Sequence, residues 1–190
     1  MNVTRRAPAR SPAQKAAVLG LMAAAAIVIS ALESALPAMP FLPPGAKLGL
    51  SNIVTMYAAL CFPLPYALCI AAVKAAFVLC VRGGAAFLMS FAGGMLSVLA
   101  LWCAARSRLF GLLGIGAVGG LTHNLAQLFA AMLLVGGAAV YYLPVLLLCG
   151  AVAGCVTAFL LRLVLPALGR CFSPRAQVSA KRDTGGIRLP

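Results

Sequence analysis

The run YALCIAAVKAAFVLCV, residues 66–81, decides the fold class. It carries a single charge, Lys74, in a stretch of helical length close to the roughly 30 Å of bilayer hydrocarbon. Working outward, five further runs have the same character: Ala16–Leu32, Leu48–Phe62, Ala85–Ala104, Phe110–Val135 and Tyr141–Leu165. The second is short and holds Ser51, Asn52 and Thr55; the fifth is rich in glycine and polar at His123, Asn124 and Gln127. The pattern predicts an all-α integral membrane protein, a six-transmembrane-helix bundle over residues 16–165. Polar, basic tails at 1–15 and 166–190 are expected to be disordered.

Composition agrees. Of 190 residues, 64% are hydrophobic and 9% charged, with a mean hydropathy of +1.07. A soluble domain is about half apolar and about a quarter charged. The charges are lopsided, with 15 Lys and Arg against two acids, Glu33 and Asp183. One Glu and one Asp far apart cannot build carboxylate clusters for Mg²⁺ or Ca²⁺, nor a paired-carboxylate hydrolase. The basic excess lacks the amphipathic helix that would direct it to nucleic acid.

Charge placement orients the bundle. Arg5, Arg6, Arg10 and Lys15 precede the first run, and Arg106 and Arg108 lie between the fourth and fifth. Arg162, Arg170, Arg175, Lys181, Arg182 and Arg188 close the chain. With six crossings these twelve share one side, and only Lys47 and Arg82 fall on the other. The positive-inside rule then places both termini in the cytoplasm of a cell-membrane protein. Tyr66, Trp102, Phe110, Tyr141 and Tyr142 sit near run ends, where interfacial aromatics belong. The first run is longer than the apolar core of a secretory signal and reads as a retained helix.

Small-xxx-small pairs occur at Gly20/Ala24, Gly116/Gly120 and Gly150/Gly154, and serve either packing inside the bundle or docking of a membrane partner. Seven cysteines show no CxxC pair and read as small apolar residues. No G-x-x-x-x-G-K-[ST] phosphate loop is present.

The polar residues inside the spans carry the functional reading. Lys74 lies near the bilayer midplane, where its stem of roughly 6 Å falls short of the roughly 15 Å to either interface. A cation there requires a partner or a wet cavity; Glu33, at the end of the first span, is the alternative structural partner. His123 and Gln127, four apart, share a helix face, with Asn124 beside them. Asn52 and Thr55 share a face below Lys47, which marks the outer mouth. Interhelical hydrogen bonding is the competing reading of these pairs. The segment Ser34–Ala46 contains four prolines and is expected to fold as an outer lid over a pocket. Glu33, Lys47, Asn52, Thr55, Lys74, His123, Asn124 and Gln127 thus outline a substrate-binding pocket for an anionic or amphipathic small molecule. No catalytic residue, metal ligand or cofactor is expected.

The stretch Lys47-Leu48-Gly49-Leu50-Ser51-Asn52-Ile53-Val54-Thr55, following Leu32-Glu33-Ser34 and the Pro-rich segment, resembles the Gx transporter family. That family is also labelled heptaprenyl diphosphate synthase component I. Phe91-Ala92-Gly93-Gly94-Met95-Leu96-Ser97 and His123-Asn124-Leu125-Ala126-Gln127-Leu128 are similar to its other blocks, and the likeness covers about residues 16 to 165. It implies a fold similar to the substrate-binding S components of energy-coupling-factor transporters. Such components have six helices and depend on a membrane coupling subunit and ATPases in trans. Prenyl diphosphate elongation requires Asp-rich motifs, and this sequence has one Asp; the synthase label therefore implies at most a noncatalytic accessory of heptaprenyl diphosphate or menaquinone synthesis, or of a flavin or quinone electron-transfer system.

The orientation has a direct readout. A C-terminal green fluorescent protein fusion is expected to fluoresce and a C-terminal alkaline phosphatase fusion to be inactive in bacterial cells. The opposite pair of results reverses the topology.

Overall fold

The structure, a computed structural model, describes residues 11–35, 49–107 and 109–172. Among them are six α-helices and no strand: α1 (Pro12–Ala35), α2 (Asn52–Cys61), α3 (Leu64–Arg82), α4 (Gly84–Ser107), α5 (Leu112–Val135) and α6 (Leu143–Phe172). A short 3₁₀ turn, Gly137–Tyr142, leads into α6. Five of the helices are long and apolar enough to cross a membrane. The chain is a multi-pass membrane protein.

Helix α2 differs from the crossing expected over Leu48–Phe62. Its 10 residues make about 15 Å of helix, half the hydrocarbon thickness. Proline is the reason at one end: Pro63 disfavours helical geometry at Phe62, which is extended, and the next helix starts at Leu64 with Pro65 in its first turn. Helix α1 starts at Pro12, ahead of the expected Ala16, and α6 continues past Leu165 to Phe172. Residues 1–10 and 173–190 of the two tails, the expected lid except for Ser34 and Ala35, and Lys47 lie outside the described residues.

The packing is inside-out relative to a soluble protein. On α5, Leu125, Phe129 and Leu133 point outward, while Ala126 and Ala130 are buried. Leu21, Val28 and Leu32 on α1, and Leu148, Val152, Phe159 and Leu163 on α6, likewise face the surroundings. Exposed apolar area on this scale belongs against lipid. The buried centre is built from small side chains, Ala26, Ala58, Ala67, Ala71 and Ala158, around Met56, Tyr57, Ile70 and Leu161. Small residues bring the helix backbones close where lipid supplies no hydrophobic drive.

Helix α5 lies between α4 and α6 and packs extensively on both; α3 continues the layer beside α4, and α1 and α2 cover α3. At the α5–α6 seam backbone packs directly on backbone. Gly116 and Gly120 face Gly150 and Gly154, and a methyl group at Gly120 or Gly154 would overlap the carbonyl oxygen of Gly150 or Gly116 respectively. The sequence pairs 116/120 and 150/154 are therefore two halves of one contact. Gly20 has open space around it, and Ala24 beside it is exposed.

Gly120→Leu is expected to lower stability by about 2 kcal/mol or more, because backbone rather than a mobile side chain must move. Gly20→Leu is expected to be nearly neutral. SDS-induced unfolding in mixed micelles, followed by circular dichroism, checks both.

Candidate functional site

The site is built where α1 ends and α2 begins. The buried Glu33 carboxylate accepts the Leu50 amide at 2.5 Å and the Ser51 amide at 3.3 Å. Helix N-termini leave their first amides without intrahelical partners, and the Ser51 side chain makes no capping bond. Glu33 does that work from the neighbouring helix, with its negative charge at the positive end of the α2 dipole. The entry turn is closed by Asn52 N–H to Gly49 O at 2.9 Å and Ile53 N–H to Leu50 O at 3.0 Å. It requires Gly49 at φ +76°, a backbone region that side-chain-bearing residues rarely adopt.

That turn aims Asn52 at α3. Lys74, about halfway along α3 and only 4% exposed, donates from Nζ to Asn52 Oδ1 at 2.7 Å. Glu33, the structural partner weighed for Lys74 from the sequence, and Lys74 itself thus meet the chain at adjacent residues: Glu33 takes the Leu50 and Ser51 amides just ahead of α2, and Lys74 bonds its first residue, Asn52. Thr55 turns away from this arrangement. Its hydroxyl donates to the Asn52 carbonyl at 3.0 Å within its own helix, and its side chain does not line the cavity.

Across from Lys74, α5 presents His123, Asn124 and Gln127, and all three line the same cavity as Glu33, Asn52 and Lys74. Gly93 on α4 is what admits His123 and Gln127. A Cβ there would sit 2.9 Å from Gln127 Cγ and 3.0 Å from His123 Cε1, so the expected glycine block makes room for the expected polar block. Asn124 Nδ2 donates to the Leu146 carbonyl of α6 at 2.8 Å and so also ties α5 to α6. His123 Nδ1 is buried with no hydrogen-bond partner among the described residues. Between α4 and α5, Ser97 Oγ donates to the Gly119 carbonyl at 2.9 Å.

The cavity has a volume of about 130 Å³. Its lining includes residues that sequence reasoning did not assign to the site, notably Arg82, Ser30, Ser90 and Thr157. Arg82 had a readable signal: Lys74, Val78 and Arg82 recur at four-residue intervals on one face of α3. The serines and Thr157 carried no such signal, because isolated hydroxyls in apolar helices commonly bond their own backbone, as Thr157 does to Ala153 O at 2.7 Å.

The family profile described as heptaprenyl diphosphate synthase component I matches residues 22–164, most of the chain. The chain belongs to that family. The match takes in every described residue that lines the cavity, from Ser30 on α1 to Thr157 on α6. No curated protein and no solved structure matches the chain. The family blocks seen in the sequence thus come together in space: the Glu33 region and the Gly49–Asn52 turn on one side, the Gly93 and His123–Gln127 blocks on the other.

Glu33→Ala is expected to destabilise the protein by about 1–3 kcal/mol, the effect of leaving partly buried amides unsatisfied. Glu33→Gln, which keeps one acceptor oxygen, is expected to lose less. SDS titration of the two variants against wild type gives the order.

Proposed function

We propose that this family member is a substrate-binding membrane subunit. It captures a small molecule in the cavity lined by all six helices, and uptake is driven by separate energising partners, a membrane coupling subunit and ATPases. The observation that carries the reading is the polar cavity inside an otherwise apolar bundle, lined by Lys74 held by Asn52 and by His123, whose Nδ1 is buried. Ionisable groups within membrane segments mark substrate or ion pathways by default. A purely structural hydrogen-bond network would not require a cavity beside it.

In this reading the protein is not an enzyme. The sequence has two acidic residues, and Glu33 is engaged with the Leu50 and Ser51 amides just ahead of α2, which leaves no carboxylate cluster to hold Mg²⁺ against a diphosphate. The absence of a phosphate-binding loop motif from the sequence fits an arrangement in which nucleotide hydrolysis occurs on a partner. Similarity to energy-coupling-factor S components is part of the same proposal, as are cytoplasmic termini and residence in the cell membrane. The family's description favours a second reading, a noncatalytic accessory of heptaprenyl diphosphate or menaquinone synthesis, or of a flavin or quinone electron-transfer system.

The two readings part on whether the pocket must be occupied. Wild-type protein purified in mild detergent is expected to carry a small molecule, detected by mass spectrometry of the denatured extract, and the Lys74→Ala/His123→Ala variant is expected to lose it. If neither carries a ligand and no coupling subunit co-purifies, the transport reading fails and the accessory reading takes its place.

A further inference from the structure

Resting on the reading that the cavity captures a substrate, we infer that Arg82 stands at its mouth and selects small organic anions. The substrate is then an anion that passes this guanidinium on its way in.

Burial locates the mouth. Among the described residues that line the cavity, Arg82 alone is exposed. Val78 and Lys74, about one and two turns further along the same face of α3, are both buried. Glu33, Ser51, Ser97 and Thr157 are buried as well. A molecule arriving from the surroundings therefore meets Arg82 before the rest of the lining.

The sign of the charge along that path decides what it admits. The sequence has two acidic residues, Glu33 and Asp183. The Glu33 oxygens are turned to the Leu50 and Ser51 amides. Asp183 follows α6, which runs away from the Arg82 end alongside α4: Gly93 meets His123 and Leu101 meets Gly119, while Gly120 meets Gly150 and Gly116 meets Gly154. Residues 36–48 contain Lys47 and no acid, so whatever they add near the mouth is positive or neutral. Lys74, held by Asn52 at 2.7 Å, acts here through its charge. A cation moving inward from Arg82 meets like charge at both residues, in surroundings of low dielectric, and an anion meets opposite charge.

The guanidinium suits this place. It keeps its charge at any physiological pH, and its planar fork of donors matches carboxylate, sulfonate and phosphate oxygens. An arginine in the last turn also complements the α3 dipole; that role by itself needs no place on the rim of a cavity.

Thiol-modification rates test the mouth directly. Ser90 lines the cavity on α4, and Ser90→Cys in the full chain, in zwitterionic nanodiscs, provides the target. The probes are three methanethiosulfonates: ethylsulfonate (negative), ethyltrimethylammonium (positive) and hydroxyethyl (neutral). Site-resolved mass spectrometry separates residue 90 from the native cysteines, and each rate is divided by that of the same reagent with 2-mercaptoethanol. The corrected sulfonate rate is expected to exceed the ammonium rate by about tenfold or more at low salt. The neutral reagent should fall between them, and the two charged rates should converge as salt rises. Arg82→Gln should cut the ratio by about threefold or more, and Arg82→Lys should keep most of it.

Equal rates, a faster cationic reagent, or a ratio unmoved by Arg82→Gln overturns the inference; a lipid phosphate neutralising Arg82 would give the last of these. No reaction at residue 90 with any reagent overturns the placing of the mouth. Where a variant fails to fold, Ala86→Cys, also on the lining, replaces Ser90→Cys, and the salt dependence replaces Arg82→Gln. A co-purifying molecule without an acid group overturns the substrate class while capture stands. If the ratio fails but a small molecule co-purifies and is lost from Lys74→Ala/His123→Ala, anion selection is wrong and capture again stands. If the ratio holds and nothing co-purifies, the anion-selecting mouth stands and capture falls.

Discussion

The buried Glu33 carboxylate takes the amides of Leu50 and Ser51, and the start of α2 depends on that contact. Without it, two N–H groups at the head of a ten-residue helix would be left unsatisfied in apolar surroundings, and a helix that short has little stability of its own. The same start positions Asn52, and Asn52 positions Lys74. The arrangement resembles the half-helices by which membrane transporters place a dipole end and irregular backbone beside a polar cavity. Here the positive end is already occupied by a carboxylate of the same chain, and the lysine meets the helix through Asn52 instead.

Two kinds of packing support this centre. On one flank, glycines let α5 and α6 approach until backbone meets backbone, and Asn124 reaches across to the Leu146 carbonyl. On the other, α1 and α2 cover α3 with alanines and Met56 and Tyr57. Gly93 joins the two, since its missing side chain is the space that His123 and Gln127 occupy. The site is therefore carved by small residues as much as built from polar ones.

Much of the site was legible in the sequence because polarity inside a membrane is expensive. Lys74, Asn52, His123, Asn124 and Gln127 stood out for that reason alone, and the cavity gathers all five. Thr55 was read with Asn52 on helical spacing, yet its hydroxyl is satisfied by the Asn52 carbonyl; spacing places a side chain on a face and does not say what its hydroxyl bonds. Arg82 was read only as a flanking charge, although its register with Lys74 was visible. Ser30 and Ser90 had no distinguishing local pattern and join the cavity only through the arrangement of helices.

The amino-acid sequence by itself determined the membrane environment, the helical class, the five long spans and the family, because hydropathy over some twenty residues and short polar blocks are local properties. It could not determine that the second span is a half-length helix, or that Glu33 caps that helix from a neighbouring one. Both depend on which groups meet across 17 and 18 residues of chain, and a carboxylate at a span end reads the same whether it faces water, a lysine or two backbone amides. Only the tertiary structure decided between them.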